Sequence, residues 1–251
     1  MHKLIALWSH PRSMSTATER VMRERGDLIC AHEPFMYDYY VNRGAGVMPH
    51  FDVQPDHPTV YGAIRDMLLA RAENGPVFFK DMAYYVVPRI FDDPDFMARL
   101  THVFLIRHPL ASILSYHKLD TGFSLEEVGL EAQWRLYEAV TAAGLDAPVI
   151  EAETMRADPR GLMRRLWARI GLDWRDAAFD WAAEVPADWQ QVGAWHEEAS
   201  TSSGIRAPDA EEFLRKELEF EALESEHPHL RGYLDHHLPF YRRLAGVALV
   251  P

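Results

Sequence analysis

In four places an apolar run of this sequence stops at a residue able to do chemistry. Arg12 follows the run 4–8, Glu33 follows 28–31, Lys80 follows 77–79 and Arg107 follows 102–106. Three cations and one carboxylate suit the transfer of an anionic group. A guanidinium grips phosphate or sulfate through charge-assisted, bidentate hydrogen bonds, and a carboxylate can take up a proton. Around Arg12 the chain reads His10-Pro11-Arg12-Ser13-Met14-Ser15-Thr16 and then turns helical with Ala17, Val21 and Met22. A strand, a tight turn and a helix in that order leave unpartnered N–H groups and the positive end of the helix dipole at the turn, which makes an anion site. The hydroxyls of Ser13, Ser15 and Thr16 add donors. No glycine or lysine precedes Ser15-Thr16, so this is not the GxxxxGK[ST] loop of ordinary ATPases. The same residues also suit a plain helix start capped by Ser15 or Thr16.

The elements that must position these groups follow from periodicity. Runs 4–8, 28–31, 77–79, 102–106 and 148–150 are apolar without alternation, as strands covered on both faces should be. Helical patterns at 15–25, 60–73, 109–118, 124–144 and 158–171 separate or follow them. Gly26 stops the first, and Pro109 suits the first turn of the third. Ser124 with Glu127 reads as a capping box for the fourth. Strands alternating with helices imply an α/β fold, with a mainly parallel central sheet of about five strands flanked by helices. Such sheets bind ligands beyond the carboxyl ends of their strands. Arg12, Glu33, Lys80 and Arg107 are therefore expected on one rim. Residues 37–59, aromatic and rich in Gly and Pro, read as a long loop that covers the substrate as a lid. Residues 173–251 form a helical C-terminal elaboration: spaced tryptophans, a polar segment at 200–206, then two helices within 209–244 that part near His227-Pro228. No linker divides the chain, and 1–251 reads as a single domain.

Composition narrows the classes. At 251 residues and 48% hydrophobic, the chain can bury a core without staples. A net charge of -12 argues against nucleic-acid or anionic-membrane binding. It leaves room for a small anion in a local cationic pocket. Cys30 is the only cysteine, which rules out an internal disulfide and suits a reducing compartment. Neither a signal-peptide apolar region nor a membrane-length apolar run is present, so a soluble cytoplasmic protein is expected. Asp235-His236-His237 lacks partners at metal-ligand spacing, and no metal site is expected.

The motif Arg107-His108-Pro109, with Ser115 eight positions after Arg107 on the following helix, can now be set beside the opening loop. Together they resemble the sulfotransferase family, whose members take the sulfuryl group from 3′-phosphoadenosine 5′-phosphosulfate (PAPS). The likeness spans about residues 3–172 and implies a P-loop nucleoside-kinase-like fold. It also implies that Arg12, Ser13, Met14, Ser15 and Thr16 bind the 5′-phosphosulfate, and that Arg107 and Ser115 bind the 3′-phosphate. Lys80 would reach the bridging or a sulfuryl oxygen. Glu151, Thr154, Met155, Asp158 and Pro159 resemble the segment after the family's fifth strand. Met14 departs from the pattern, standing where the family usually has glycine. The late glycine-rich motif is at most reduced to Ser202-Ser203-Gly204-Ile205-Arg206. The expected reaction is in-line transfer to a hydroxyl or amine of a small-molecule acceptor, without a metal.

A hydroxyl acceptor needs a base. Glu33 occupies the position of a catalytic glutamate in some bacterial relatives, and an ordinary glutamate is ionised at neutral pH. His32 competes, but adjacent strand residues face opposite ways, so the two cannot serve equally. Glu33 is favoured, with Lys80 and Arg12 as its partners in catalysis. It can instead merely pair with Arg12 or Lys80 and order the rim. Two other readings stand beside this one. One is a nucleotide-binding module that keeps the anion loop without transfer chemistry. The other is a histidine phosphatase built on Arg107-His108, which Pro109 and the fourth-strand position disfavour.

Overall fold

The computed structural model describes residues 2–181, 186–195 and 204–251; residues 200–203 of the polar segment lie outside the described residues. Five strands, β1 (Leu4–Ser9), β2 (Ile29–His32), β3 (Val77–Met82), β4 (Thr101–Ile106) and β5 (Val149–Glu151), form one sheet. Its order is β2-β3-β1-β4-β5 and every pairing is parallel. β1 lies at the centre and is buried along its whole length. Its residues alternate between two cores, as a period of two requires. Leu4, Ala6 and Trp8 pack on one face and Ile5 and Leu7 on the other. The chain first builds β2 and β3 on one side of β1 and then crosses to β4 on the other. The crevice beyond the carboxyl ends of β1 and β4 is thus the switch point where such sheets take ligands.

The helices cover both faces. They are α1 (Ser15–Glu24), α2 (Tyr61–Asn74), α3 (Ala83–Val86), α4 (Pro94–Arg99), α5 (Pro109–His117), α6 (Leu130–Ala142), α7 (Ala152–Ala157), α8 (Pro159–Ile170), α9 (Glu212–Glu226) and α10 (His229–Ala245). α9 and α10 pack on α5, and α10 also on α6, so the helical C-terminal part closes over the side of the sheet that carries β4. Asp158 caps α8 by accepting from the Gly161 N–H at 2.8 Å, and Gly171 ends that helix at φ +65°.

Two expectations need correction. Ser124 and Glu127 make only half of a capping box, Ser124 N–H and Oγ–H both donating to Glu127 Oε2 at 2.8 and 2.9 Å. They precede only the short 3-10 turn Glu126–Val128, because Gly129 at φ +82° interrupts the pattern before α6 starts. Nor is the whole aromatic stretch after β2 a covering loop. Tyr37–Asn42 form a π-helical turn. Phe35, Tyr37 and Tyr39 are buried in the core, where large rings gain more from packing than from a flexible cover.

Candidate active site

One cavity of about 940 Å³ opens on the rim, lined among others by Arg12, Ser15, Thr16, Glu33, Lys80 and Arg107. The four strand-end residues therefore share one space. Each arrives there by a local cause. β1 ends at Ser9, and the turn that follows carries Arg12 at φ +61° and Met14 at φ +70°. Two left-handed residues with an ordinary one between them fold the backbone tightly before α1. Side-chain residues pay about 1–2 kcal/mol each for that conformation, and such strain gathers where a site over-determines the backbone. Met14 thus takes the conformation that the glycine of related loops adopts freely.

Glu33 follows β2 at φ +43°. Its N–H donates to the Lys80 carbonyl at 2.9 Å, which ties the strand ends of β2 and β3 together. The side chains also pair: Lys80 Nζ donates to Glu33 Oε1, and both groups are buried. Lys80 Nζ lies 3.4 Å from Ser15 Oγ, so the ammonium reaches the anion loop as well as the carboxylate. Tyr85 Oη–H donates to Glu33 Oε2 at 3.3 Å. An ion pair without water gains nothing unless further hydrogen bonds satisfy it, and Ser15 and Tyr85 supply them. Next to this pair, burial and then the charge of Glu33 hold the Asp81 carboxyl well above its usual range. Phe35 N–H donates to both its oxygens.

His32 faces away. Its Nδ1 is 2.7 Å from Glu19 Oε2, a buried carboxylate that also accepts from Trp189 Nε1 at 2.9 Å. Burial, and after it the charge of Lys80, push the His32 imidazole well below its ordinary value. Its Nε2 nevertheless lies 3.8 Å from Glu33 Oε1, because Glu33 stands beyond β2 in a left-handed conformation and outside the alternation of the strand.

At the other end, Arg107 Nη1 donates to the Arg12 carbonyl at 2.7 Å. Arg12 Nε donates to Ser115 Oγ at 2.8 Å and its Nη1 to the Trp195 carbonyl at 2.8 Å. The Arg12 side chain thus lies with Arg107 and Ser115, while its backbone opens the loop. Ser13 does not line the cavity; its Oγ is buried and has no hydrogen-bond partner among the described residues. Sequence reasoning gave no role to His10, which it placed near the rim, and passed over two other groups. His10 Nε2 accepts from the Arg107 N–H at 3.0 Å, so this buried ring holds the end of β4 to the end of β1. Burial, then the charges of His237 and Arg107, push it down to about 3, which keeps that nitrogen an acceptor. Tyr84 and Tyr85 directly follow β3, and with Tyr40 and Tyr116 they make an aromatic wall. Arg156 pairs with Glu212 of α9 at 2.7 and 2.8 Å and ties the C-terminal segment to the cavity edge. Only the adjacency of Tyr84-Tyr85 to Lys80 hinted at these. Among the described residues no group of three His, Cys, Asp or Glu is arranged to hold a metal ion, and no helix is long and apolar enough to cross a membrane.

The sulfotransferase domain profile matches residues 2–224. The chain belongs to this sulfotransferase domain family. Two solved sulfotransferase domains share its fold. One, from the olefin synthase of Synechococcus PCC 7002, is 18% identical with a TM-score of 0.50, covering 71% of this chain and 77% of that one. The other, from the curacin biosynthetic pathway, is 12% identical with a TM-score of 0.51, covering 76% and 83%. Two Arabidopsis thaliana proteins, branched-chain-amino-acid aminotransferase-like proteins 2 and 1, are 25% and 26% identical over 221 residues. These matches cover 82% of this chain and only 37% of each plant protein, so the chain spans little more than a third of the length of those relatives.

Proposed function

We propose that this sulfotransferase transfers a sulfuryl group from PAPS to a hydroxyl or amine of a small-molecule acceptor by in-line displacement. One observation carries the reading: the anion loop, the Lys80–Glu33 pair and Arg107 all line one cavity. The loop amides of residues 13–16 and the start of α1 hold the 5′-phosphate, helped by Ser15 and Thr16. Arg107 and Ser115 hold the 3′-phosphate. Arg12, lying between the two ends, neutralises charge on whichever phosphate it meets and so aids departure of the leaving group. Lys80 stabilises the bridging oxygen as its bond to sulfur breaks. Glu33 takes the proton of the attacking hydroxyl. Electrostatics and positioning carry such a transfer, by analogy with phosphoryl chemistry. The acceptor's body lies against Tyr40, Met48, Met82 and Tyr116, a wall suited to an uncharged ring or alkyl group. The lone Cys30, pushed by burial up to about 12 and so inert as a thiol, suits a cytoplasmic setting.

Isothermal titration tests the donor assignment. Adenosine 3′,5′-diphosphate binds with micromolar or tighter affinity and ATP far more weakly. Equally weak binding of both removes the 3′-phosphate role from Arg107 and Ser115. The nucleotide-binding module remains the second reading, because a Lys80–Glu33 pair would also order a rim that does no chemistry. Tight binding without Glu33-dependent transfer to any of a broad acceptor panel favours it.

A further inference from the structure

A second cavity, of about 350 Å³, lies along the edge strand β2 and shares no lining residue with the first. Its size suits a small molecule, and it has no part in the proposed transfer. Three side chains bring unspent polar atoms to it. Arg71, in the last turn of α2, makes no hydrogen bond or ion pair among the described residues. Gln191 is 5% exposed. Its Oε1 accepts from Tyr37 Oη–H at 2.6 Å, and its amide N–H groups have no acceptor among the described residues. His57 stacks on the same Tyr37 ring, centroids 3.8 Å apart, and its Nδ1–H donates to the Pro58 carbonyl at 2.8 Å. Burial, with the charge of Arg71 added to it, holds this imidazole below its ordinary value. The ring is therefore neutral at pH 7 and its Nε2 is a bare acceptor. Tyr37 thus fixes a donor and an acceptor, and Arg71 supplies a charge.

The charges select the ligand. Asp188 is the one carboxylate among the described lining residues, and Arg23 already pairs with it. That leaves one guanidinium for one negative charge, which suits a monoanion better than a phosphate dianion. The guanidinium fork matches the two oxygens of a carboxylate. We propose that this cavity is a second binding site, for a small hydroxycarboxylate. The carboxylate lies on Arg71 and takes a further hydrogen bond from the Gln191 amide, and the hydroxyl donates to His57 Nε2. Packing alone does not call for a nearly buried amide whose N–H groups go unanswered, and a ligand carboxylate answers them. His32 stands between the two cavities: its ring lines this one, and its Nε2 lies 3.8 Å from Glu33 Oε1 in the other.

The test titrates lactate, propionate and inorganic phosphate into the full chain and follows backbone amide shifts by NMR, with Arg71→Gln, His57→Phe and Arg107→Ala beside the parent. Lactate should bind with a Kd of about 1 mM or tighter and shift the amides around Arg71, His57 and Gln191. Arg71→Gln breaks no hydrogen bond or ion pair among the described residues, so it should fold as the parent does and weaken lactate by about tenfold or more. Propionate, which lacks the hydroxyl, should bind about fivefold more weakly than lactate. His57→Phe, which keeps a ring stacked on Tyr37, should erase that difference. Phosphate should bind more weakly than lactate, and Arg107→Ala should bind lactate as the parent does. No shift up to about 50 mM lactate, or equal lactate affinity in Arg71→Gln and the parent, overturns the site. A loss in Arg107→Ala that matches the loss in Arg71→Gln also overturns it, since the anion then sits in the first cavity. Phosphate or propionate binding as tightly as lactate overturns the assignment to a hydroxycarboxylate.

Discussion

At the scale of single residues, the proposed chemistry turns on a carboxylate and an ammonium that pair with each other. Glu33→Gln keeps the shape and one acceptor oxygen for Lys80 but cannot take a proton. It should leave binding of adenosine 3′,5′-diphosphate nearly intact and lower kcat by about 10²–10⁴-fold, measured by single-turnover transfer beside calorimetry. Glu33→Ala is a poorer probe, since it strands a buried ammonium at a cost of about 3–5 kcal/mol. Arg107→Ala should act on the other quantity. Losing a charge-assisted grip on a dianion is worth about 1.5–3 kcal/mol, so affinity for adenosine 3′,5′-diphosphate should fall by about 10–100-fold, while adenosine 5′-phosphosulfate, which has no 3′-phosphate, binds as before.

At the scale of elements, two left-handed positions decide how the rim is built. Met14 holds φ +70° in the loop between β1 and α1. A β-branched side chain tolerates that conformation worst and glycine best. Met14→Val should be less stable than Met14→Gly by about 1–2 kcal/mol in urea unfolding, with the loss of donor affinity following the same order. Gly129 holds φ +82° at the start of α6, and a Cβ there would meet His10 Cβ at 2.9 Å. Because His10 accepts the Arg107 N–H, a side chain at 129 presses on the residue that holds the Arg107 backbone. Gly129→Ala should lower stability by at least ~1–2 kcal/mol and weaken adenosine 3′,5′-diphosphate binding, read by thermal shift and calorimetry together. A fall in stability with unchanged affinity would show that His10 does not position Arg107.

At the scale of the whole molecule, buried imidazoles set the response to acid. Burial pushes His10 down to about 3 and His102, His108 and His237 down to about 4. His102 shows why: its Nδ1 accepts from Trp8 Nε1 at 2.9 Å and its Nε2 faces the Met97 carbonyl, which only the neutral ring satisfies. The unfolded chain binds protons at these rings below about pH 6.5, and the folded chain refuses them until about pH 4. Their contribution to stability is therefore whole above 6.5 and is lost as pH falls through that window. Asp81, Glu153 and Asp188, raised chiefly by burial, act in the opposite sense, losing stability as pH rises, but His32, His57 and His117 are lowered with the other four imidazoles and outnumber them. Urea midpoints should fall steadily from pH 7 to pH 4, and His102→Gln should flatten part of that slope.

The parallel α/β sheet and the meeting of Arg12, Glu33, Lys80 and Arg107 on one rim were legible in the chain itself. Both follow from local pattern: apolar runs that stop at a polar residue, and the rule that parallel strands end together. Strand alternation does not account for Glu33 in the cavity, since Glu33 stands beyond β2 at φ +43° and His32 Nε2 lies 3.8 Å from its Oε1; the backbone turn after the strand places it there. The tertiary structure alone decided what those groups touch. It turned the Arg12 side chain toward Ser115, 103 residues away, brought His10 under the Arg107 backbone, and cut the fourth helical pattern at Gly129. It also brought Tyr40, Tyr84 and Tyr85 to the wall of the cavity that Glu33 lines. Contacts between residues distant in the chain depend on how whole elements pack, and no local pattern of residue types encodes that.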